Sequence, residues 1–396
     1  MRTSVWIIWI KDIMKHYDLI IIGAGNLGTF HAYHALLKSK KVLLIEKDSM
    51  PMEATVRNFG QVVPSGQALD EWFNYGRRSL EIYKSIQAKF DITARQNGTY
   101  YFASDSNEMM LLEEARTLFK YRNYPVQLLS KKACLEKIPS LKSTYAAGGL
   151  FFSEEISVEP RTMVHRVREM LIHDFPLDYC PNTTVRHCEL KDGLVLVQTA
   201  DNQTFQSDKV AVCNGRDFKF LFPEIFMDSG MKISKLNMMS TYPLTGIELK
   251  GNILSGLSIR RYDSFKSCPS YPYVVPPIWQ KEYAEYGIHI LFKQALDGSI
   301  IIGDSHEYAP VNASADLDFG IEMHINELIL KEARRMIHLP DWRIQNYWAG
   351  YYAQSANGGI FEHTIDDKIF ISTGIGGKGM TTAAGYSEDR ISTIFQ

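Results

Sequence analysis

Residues 17–46 constrain the fold more than any other stretch, because they read as strand, glycine turn, helix and strand in immediate succession. YDLIII at 17–22 is a short β-branched and apolar run closed by glycine, the pattern of a buried parallel strand. GAGNLG follows. Gly23 permits the tight turn, Gly25 lets backbone approach a pyrophosphate, and Gly28 lets a helix predicted over 26–38 pack closely on the strand. Asn26 opens that helix, whose free N–H groups and positive dipole end suit phosphates. A second strand at 42–45 ends in Glu46, at the spacing where a carboxylate accepts both ribose hydroxyls of an adenosine. Together these features predict binding of an ADP-containing cofactor, against the alternative of a glycine-rich turn without ligand.

The 396 residues leave room for two domains and a large core. A formal charge of −2 gives no electrostatic footprint for nucleic acid or an anionic membrane surface. Cys134, Cys180, Cys188, Cys213 and Cys268 show neither CxxC pairing nor zinc-ligand spacing, so they read as reduced cytosolic thiols and no metal is expected. Near the start, an apolar patch at 5–10 imitates a signal peptide, but Lys11 and Asp12 interrupt it without a cleavage site. Residues 1–13 are therefore read as an extension, with translation starting at Met14. No later run is long enough to span a membrane, and a cytoplasmic location is expected.

Residues 52–67 lack either regular period and read as a functional loop. Thr55, Arg57 and Asn58 offer donors to phosphate or ring oxygens, and Gly60 keeps backbone close to a ligand; a solvated loop is the alternative. A helix over 68–88, a strand over 98–103, a helix over 106–122 and a strand over 148–152 come next. Pro160 marks a helix start beyond Val158, where Arg161 either meets a ligand or pairs with Glu159. The strand at 207–215 ends in Asn214-Gly215, a second point where backbone can face a cofactor. The middle third reads as alternating strands at 256–265 and 288–308, the latter turning at Asp297-Gly298. After a helix over 321–337 and a strand at 368–372, TGIGGKGMTTAAG at 373–385 forms another glycine-rich strand-to-helix junction. Gly374, Gly376, Gly377, Lys378, Gly379 and Met380 are its cofactor candidates. His31 and His34 share a helix face and read as core or surface residues. Without a linker, two domains must interleave: 14–90, 146–216 and 340–396 for the cofactor, 91–145 and 217–339 for the substrate.

Two such junctions, one near each end with an antiparallel excursion between them, resemble the D-amino-acid oxidase, glycine oxidase and sarcosine oxidase family. The resemblance also rests on VEP at 158–160, DKVAVCNG at 208–215, SIIIGDSHEY at 299–308 and WAGYY at 348–352. It implies an α/β architecture in which a Rossmann-like FAD-binding domain is interleaved with an antiparallel-sheet substrate domain. Lys47 and Val185 join the expected FAD contacts. VRNFGQVVPSGQ, IRRYDSF and GDSHEY look like the branch proposed to deaminate aminophosphonates related to 2-aminoethylphosphonate. Where sarcosine oxidases attach flavin through cysteine, the WAGYY region places Tyr351, which implies noncovalent FAD. Their lysine of the terminal motif corresponds to Thr381.

The implied chemistry is hydride transfer from an amine-bearing carbon to flavin, followed by hydrolysis of the imine. A small anionic amine is the expected substrate, with oxygen, a quinone or another carrier taking the electrons. Arg260 is the expected anion clamp, with Tyr262 hydrogen-bonding beside it, while Arg261 should face the other side of the strand. His306 and Glu307, adjacent on a strand, read as structural, and no catalytic residue is assigned. An ordinary D-amino-acid, glycine or sarcosine oxidase is one alternative, and a noncatalytic flavin-binding module another.

Overall fold

The computed structural model describes residues 15–396, with the side chains of residues 315 and 316 left aside. The proposed extension and the Met14 start lie outside the described residues. Strand His16–Ile22 runs parallel to Val42–Ile45 on one side and to Thr204–Val212 on the other. Leu177–Cys180 and Ile369–Thr373 extend this parallel core in the two directions. Ile20 pairs with both Leu43 and Val210, and all three are fully buried. Parallel strands covered on both faces need such continuous apolar runs, which explains why these short segments were readable without alternation.

Helix Asn26–Leu37 packs beside the last helix, Gly379–Ile394, and both lie close to Glu71–Gln87. The contacts include hydrogen bonds from side chains buried in this layer. Tyr83 donates to the Met380 carbonyl at 3.0 Å, and His34 Nε2 lies 2.9 Å from the Ala384 carbonyl. His31 Nδ1 is 2.9 Å from Ser387 Oγ, so both histidines belong to the core. Burial lowers each of their pKa values to about 4, which keeps the imidazoles neutral.

Among the described residues the second sheet has nine mainly antiparallel strands, and Lys232–Thr241 is its hub. That strand pairs with Ile344–Gln354, Ile300–Gly303 and Glu307–Pro310. The predicted turn at Asp297-Gly298 joins Leu291–Gln294 to Ile300–Gly303, with Gly298 at φ +86. Two expected domain limits do not match the strand pairing. Gly148–Phe152 pairs with Thr99–Ala103, and Ile344–Gln354 pairs with Lys232–Thr241, so both strands belong to the antiparallel sheet.

The predicted strand at 256–265 is instead two helical turns, Gly256–Ile259 and Asp263–Lys266. Arg260 N–H donates to the Gly256 carbonyl at 3.1 Å and Tyr262 N–H to Ser258 at 2.9 Å, the spacing of helical bonds. Gly256 is forced by packing: a Cβ there would lie 2.0 Å from Glu108 Oε2. The strand reading failed because the apolar residues of this segment follow its tertiary seat and not a period of two.

Candidate functional site

A cleft of about 640 Å³ opens where the parallel strands end. Gly23 adopts φ +98, and a Cβ on it would sit 2.3 Å from the Cys213 carbonyl oxygen. Gly28 packs still closer, since its Cβ would meet the Gly23 oxygen at 1.8 Å. The turn is thus glycine by steric necessity. Gly25 caps helix Asn26–Leu37 without a side-chain bond to the helix's N–H groups. Thr55 Oγ1 accepts from Asn26 N–H at 3.0 Å, while the Asn26 amide donates to the Gly379 carbonyl at 3.1 Å. Asn26 therefore ties the first glycine junction to the last.

Glu46 is buried at the cleft wall, its carboxylate accepting from Ala24 N–H at 2.8 Å and Asp48 N–H at 3.1 Å. Each oxygen keeps a lone pair for another donor. Val185, Asn214, Gly215, Gly374 and Gly376 also line the cleft, and Asn214 Oδ1 is buried without a partner. Two of the cations here are already engaged: Lys47 with Asp217 at 3.2 Å, and Arg216 with Glu53 at 3.2 Å and Asp318 at 3.0 Å. A diphosphate in this cleft would meet backbone N–H groups and a helix dipole. The N–H groups of Leu27 and Gly28 in the first turn, a pinned carboxylate and an orphaned amide oxygen fit FAD.

Three expected cofactor residues do other work. Arg57 donates to the carbonyls of Met52 at 2.8 Å and Ala349 at 3.3 Å, stapling the loop to strand Ile344–Gln354. Gly60, at φ +70, approaches Val158, whose oxygen would lie 2.2 Å from a Cβ. Asn58 closes its own loop, donating to Ala54 and Thr55 and accepting from Gly60 N–H. The loop's polar atoms satisfy its irregular backbone first, a demand that residue types alone do not reveal.

A second cavity, about 370 Å³, adjoins the first: Tyr352 lines both, Gly376 the cleft, and Gly377, Lys378 and Met380 the cavity. Asn58 and Tyr262 lie on its wall. Arg260 does not. Its guanidinium donates to Glu108 at 2.7 Å and Asp105 at 2.6 Å, with the side chain 8% exposed and Glu108 fully buried. The arginine facing the cavity is Arg261, which donates to Tyr308 Oη at 3.0 Å and, among the described residues, has no carboxylate within 4.0 Å. A helical turn, unlike a strand, sends neighbouring side chains about 100° apart, which reverses the expected assignment.

His289, Asp304 and His306 converge on the same wall. His289 Nε2 lies 2.9 Å from Asp304 Oδ1, and His306 Nδ1 lies 3.9 Å from it. Burial and the Arg261 charge pull His306 down to about 3, and burial lowers His289 despite Asp304. Burial opposes ionisation of Asp304, yet the two histidines bring it below the usual carboxylate range. His306 was expected to be structural; Glu307, beside it, does turn away toward Lys235 at 3.7 Å. The i, i+2 spacing of Asp304 and His306 was the available signal, since it places both on one face of extended chain. The expectation of no metal overlooked this trio of donor types, although Arg261 sets a positive charge beside all three. Lys378 is stabilised over the Trp72 ring at 5.0 Å, and burial lowers its pKa.

The family model described as DAO, FAD dependent oxidoreductase, matches residues 18–389. Glycine oxidase of Bacillus subtilis is 21% identical over 91% of this chain and 88% of its own length. N-methyl-L-tryptophan oxidase of Yersinia pestis is 26% identical over 60% of this chain and 66% of its own. Among solved structures, glycine oxidase from Geobacillus kaustophilus superposes with TM-score 0.74 at 15% identity, covering 96% of this chain and 94% of that one. L-alpha-glycerophosphate oxidase from Mycoplasma pneumoniae, solved with FAD bound, gives 0.76 at 17% identity, covering 96% and 95%. At such identities the superpositions establish the fold.

Proposed function

Since the chain belongs to the DAO family of FAD-dependent oxidoreductases, we propose that it oxidises the C–N bond of a small anionic amine. FAD, when bound, supplies the hydride acceptor. The protein's share is binding, orientation and electrostatics. In this reading the first-turn N–H groups of helix Asn26–Leu37 hold the diphosphate and Glu46 the ribose. Val185, Asn214, Gly215 and the 374–380 junction hold the rest. FAD is held noncovalently, Tyr351 standing where a cysteine would attach it. The cofactor part comprises 15–90, 153–216 and 355–396, and the antiparallel sheet covers it as the substrate part. Electrons pass on to oxygen, a quinone or another carrier.

The observation that carries the reading is Arg261: a guanidinium with no carboxylate within 4.0 Å among the described residues, in a cavity that meets the cofactor cleft at Tyr352. A guanidinium there offers paired donors to carboxylate or phosphonate oxygens. Within this class we favour an aminophosphonate related to 2-aminoethylphosphonate. Each of the three stretches that suggest that branch contributes to this one wall: Asn58 and Gln61 from the first, Arg261 and Tyr262 from the second, Asp304 and His306 from the third. Lys266 and Lys378 line it as well, which suits an anion of more than one charge.

The test is anaerobic bleaching of the purified holoprotein's flavin by glycine, sarcosine, D-alanine, 2-aminoethylphosphonate and the 1-hydroxy and N-methyl derivatives of the last. Selective bleaching by a phosphonate supports the narrow reading. Bleaching by glycine or D-alanine alone would assign an ordinary amino-acid oxidase, and bound flavin that no amine bleaches would remove amine oxidation altogether.

A further inference from the structure

We propose that His306 accepts the ammonium proton of the substrate, with Asp304 and His289 holding its ring. The inference rests on the amine-oxidising reading above and adds a catalytic residue to it. An amine that enters as ammonium has no lone pair, and loss of hydride from the adjacent carbon requires one. A proton must therefore leave first.

The groups facing the cavity differ in their capacity to receive it. Arg261 is permanently charged, Lys266 and Asp263 pair with each other at 2.8 Å, and Lys378 Nζ is held by the Gly358 carbonyl and the Trp72 ring. Burial raises the Tyr262 and Tyr352 phenols, which keep their protons, and Tyr308 accepts from Arg261. His289 has both nitrogens engaged, Nδ1 with Ser258 Oγ at 3.1 Å and Nε2 beside Asp304. His306 differs: its Nδ1 lies 3.3 Å from the Gly287 carbonyl, an acceptor only. That contact places the proton on Nδ1 and the lone pair on Nε2.

The ring is fixed by stacking on His289 at 5.6 Å and Tyr308 at 6.1 Å. Asp304 Oδ1 lies 2.9 Å from His289 Nε2 and 3.9 Å from His306 Nδ1, so an imidazolium at His306 would place a further positive charge beside that buried carboxylate. Before substrate arrives, burial and the Arg261 charge keep His306 neutral. An anion docked on Arg261 cancels part of that charge and strengthens the base when it is needed.

The step balances as a proton transfer. One N–H bond of the ammonium breaks, its electron pair stays on nitrogen, and an Nε2–H bond forms. The proton returns to water after product leaves.

The experiment is anaerobic stopped-flow reduction of the full-length holoenzyme by 2-aminoethylphosphonate, and by glycine in parallel, between pH 6 and about 10. His306→Gln should retain FAD and lose about 100-fold in limiting rate at pH 7. The deficit should shrink about tenfold per pH unit as the bound ammonium comes to lose its proton to solvent. His306→Ala should regain rate when imidazole is added. A rate loss equal at every pH, or a variant with the wild-type profile, would overturn the assignment. So would loss of wild-type activity on dialysis against EDTA with recovery on zinc, which would make the trio a metal site. Failure of every amine of the panel above to bleach wild-type flavin would instead sink the amine-oxidising reading, and this inference with it.

Discussion

The cofactor cleft and the cavity beside it share Tyr352, yet they are built from different parts of the peptide. The cleft is shaped by backbone: glycines with no room for a Cβ, bare N–H groups and a carboxylate held by two main-chain donors. Two of its cations, Lys47 and Arg216, are paired with neighbouring acids. The cavity is made of side chains, and its leading cation, Arg261, has no carboxylate within 4.0 Å among the described residues. Backbone recognition suits a cofactor of fixed shape, whereas one free guanidinium among replaceable side chains suits a substrate.

The largest expected effect breaks the cleft. Gly28→Ala would press a Cβ to 1.8 Å from the Gly23 oxygen. The flavin-to-protein absorbance ratio should fall to about a tenth of wild type or less, because the turn must open. The same ratio near wild type would show that the turn yields more easily than close packing implies.

Next comes the pair of adjacent arginines. Arg260→Ala strands Glu108, fully buried, without its partner. Urea unfolding should show a loss of about 3–5 kcal/mol, the usual cost of breaking a buried ion pair. Arg261→Ala should cost under about 1 kcal/mol by the same assay, since its contact is a partly exposed hydrogen bond. Equal losses would erase the distinction between clamp and scaffold.

A smaller effect tests the support behind the cavity. Glu155 is buried, accepts from Ser65 N–H at 2.8 Å and Tyr124 Oη at 3.1 Å, and burial raises it from 4.5 to about 7. The folded state therefore binds this proton more tightly than the unfolded chain. Stability from this group is complete below about pH 4.5 and declines as pH rises toward 7. Glu155→Gln should flatten that decline by on the order of 1 kcal/mol, read from urea midpoints at pH 5 and pH 8. Parallel curves for the two proteins would mean that Glu155 ionises freely.

The contrast between the two regions also explains what the sequence disclosed. Gly23, Gly28 and Glu46 were readable because local sterics and fixed spacing dictate them. So were short elements such as Val42–Ile45 and Gly148–Phe152, whose composition suits buried strands. Arg260 and Arg261 were exchanged because their directions depend on one helical turn, which forms where Gly256 seats on Glu108, far away in sequence. Arg57 and Gly60 have residue types suited to a ligand, but the fold uses them to satisfy its own loop. His289 meets Asp304 and His306 only through tertiary packing, so no local period announced the trio.

The most direct measurement is an anaerobic titration of wild type and Arg261→Ala with 2-aminoethylphosphonate and glycine, following flavin absorbance. An anion held by this guanidinium predicts that the variant keeps its FAD. It should need about 10–100 times more of whichever amine bleaches the wild type, the value of a charge-assisted contact. Half-bleaching at the same concentration in both proteins would contradict the account, because the Arg261 guanidinium would then play no part in holding substrate.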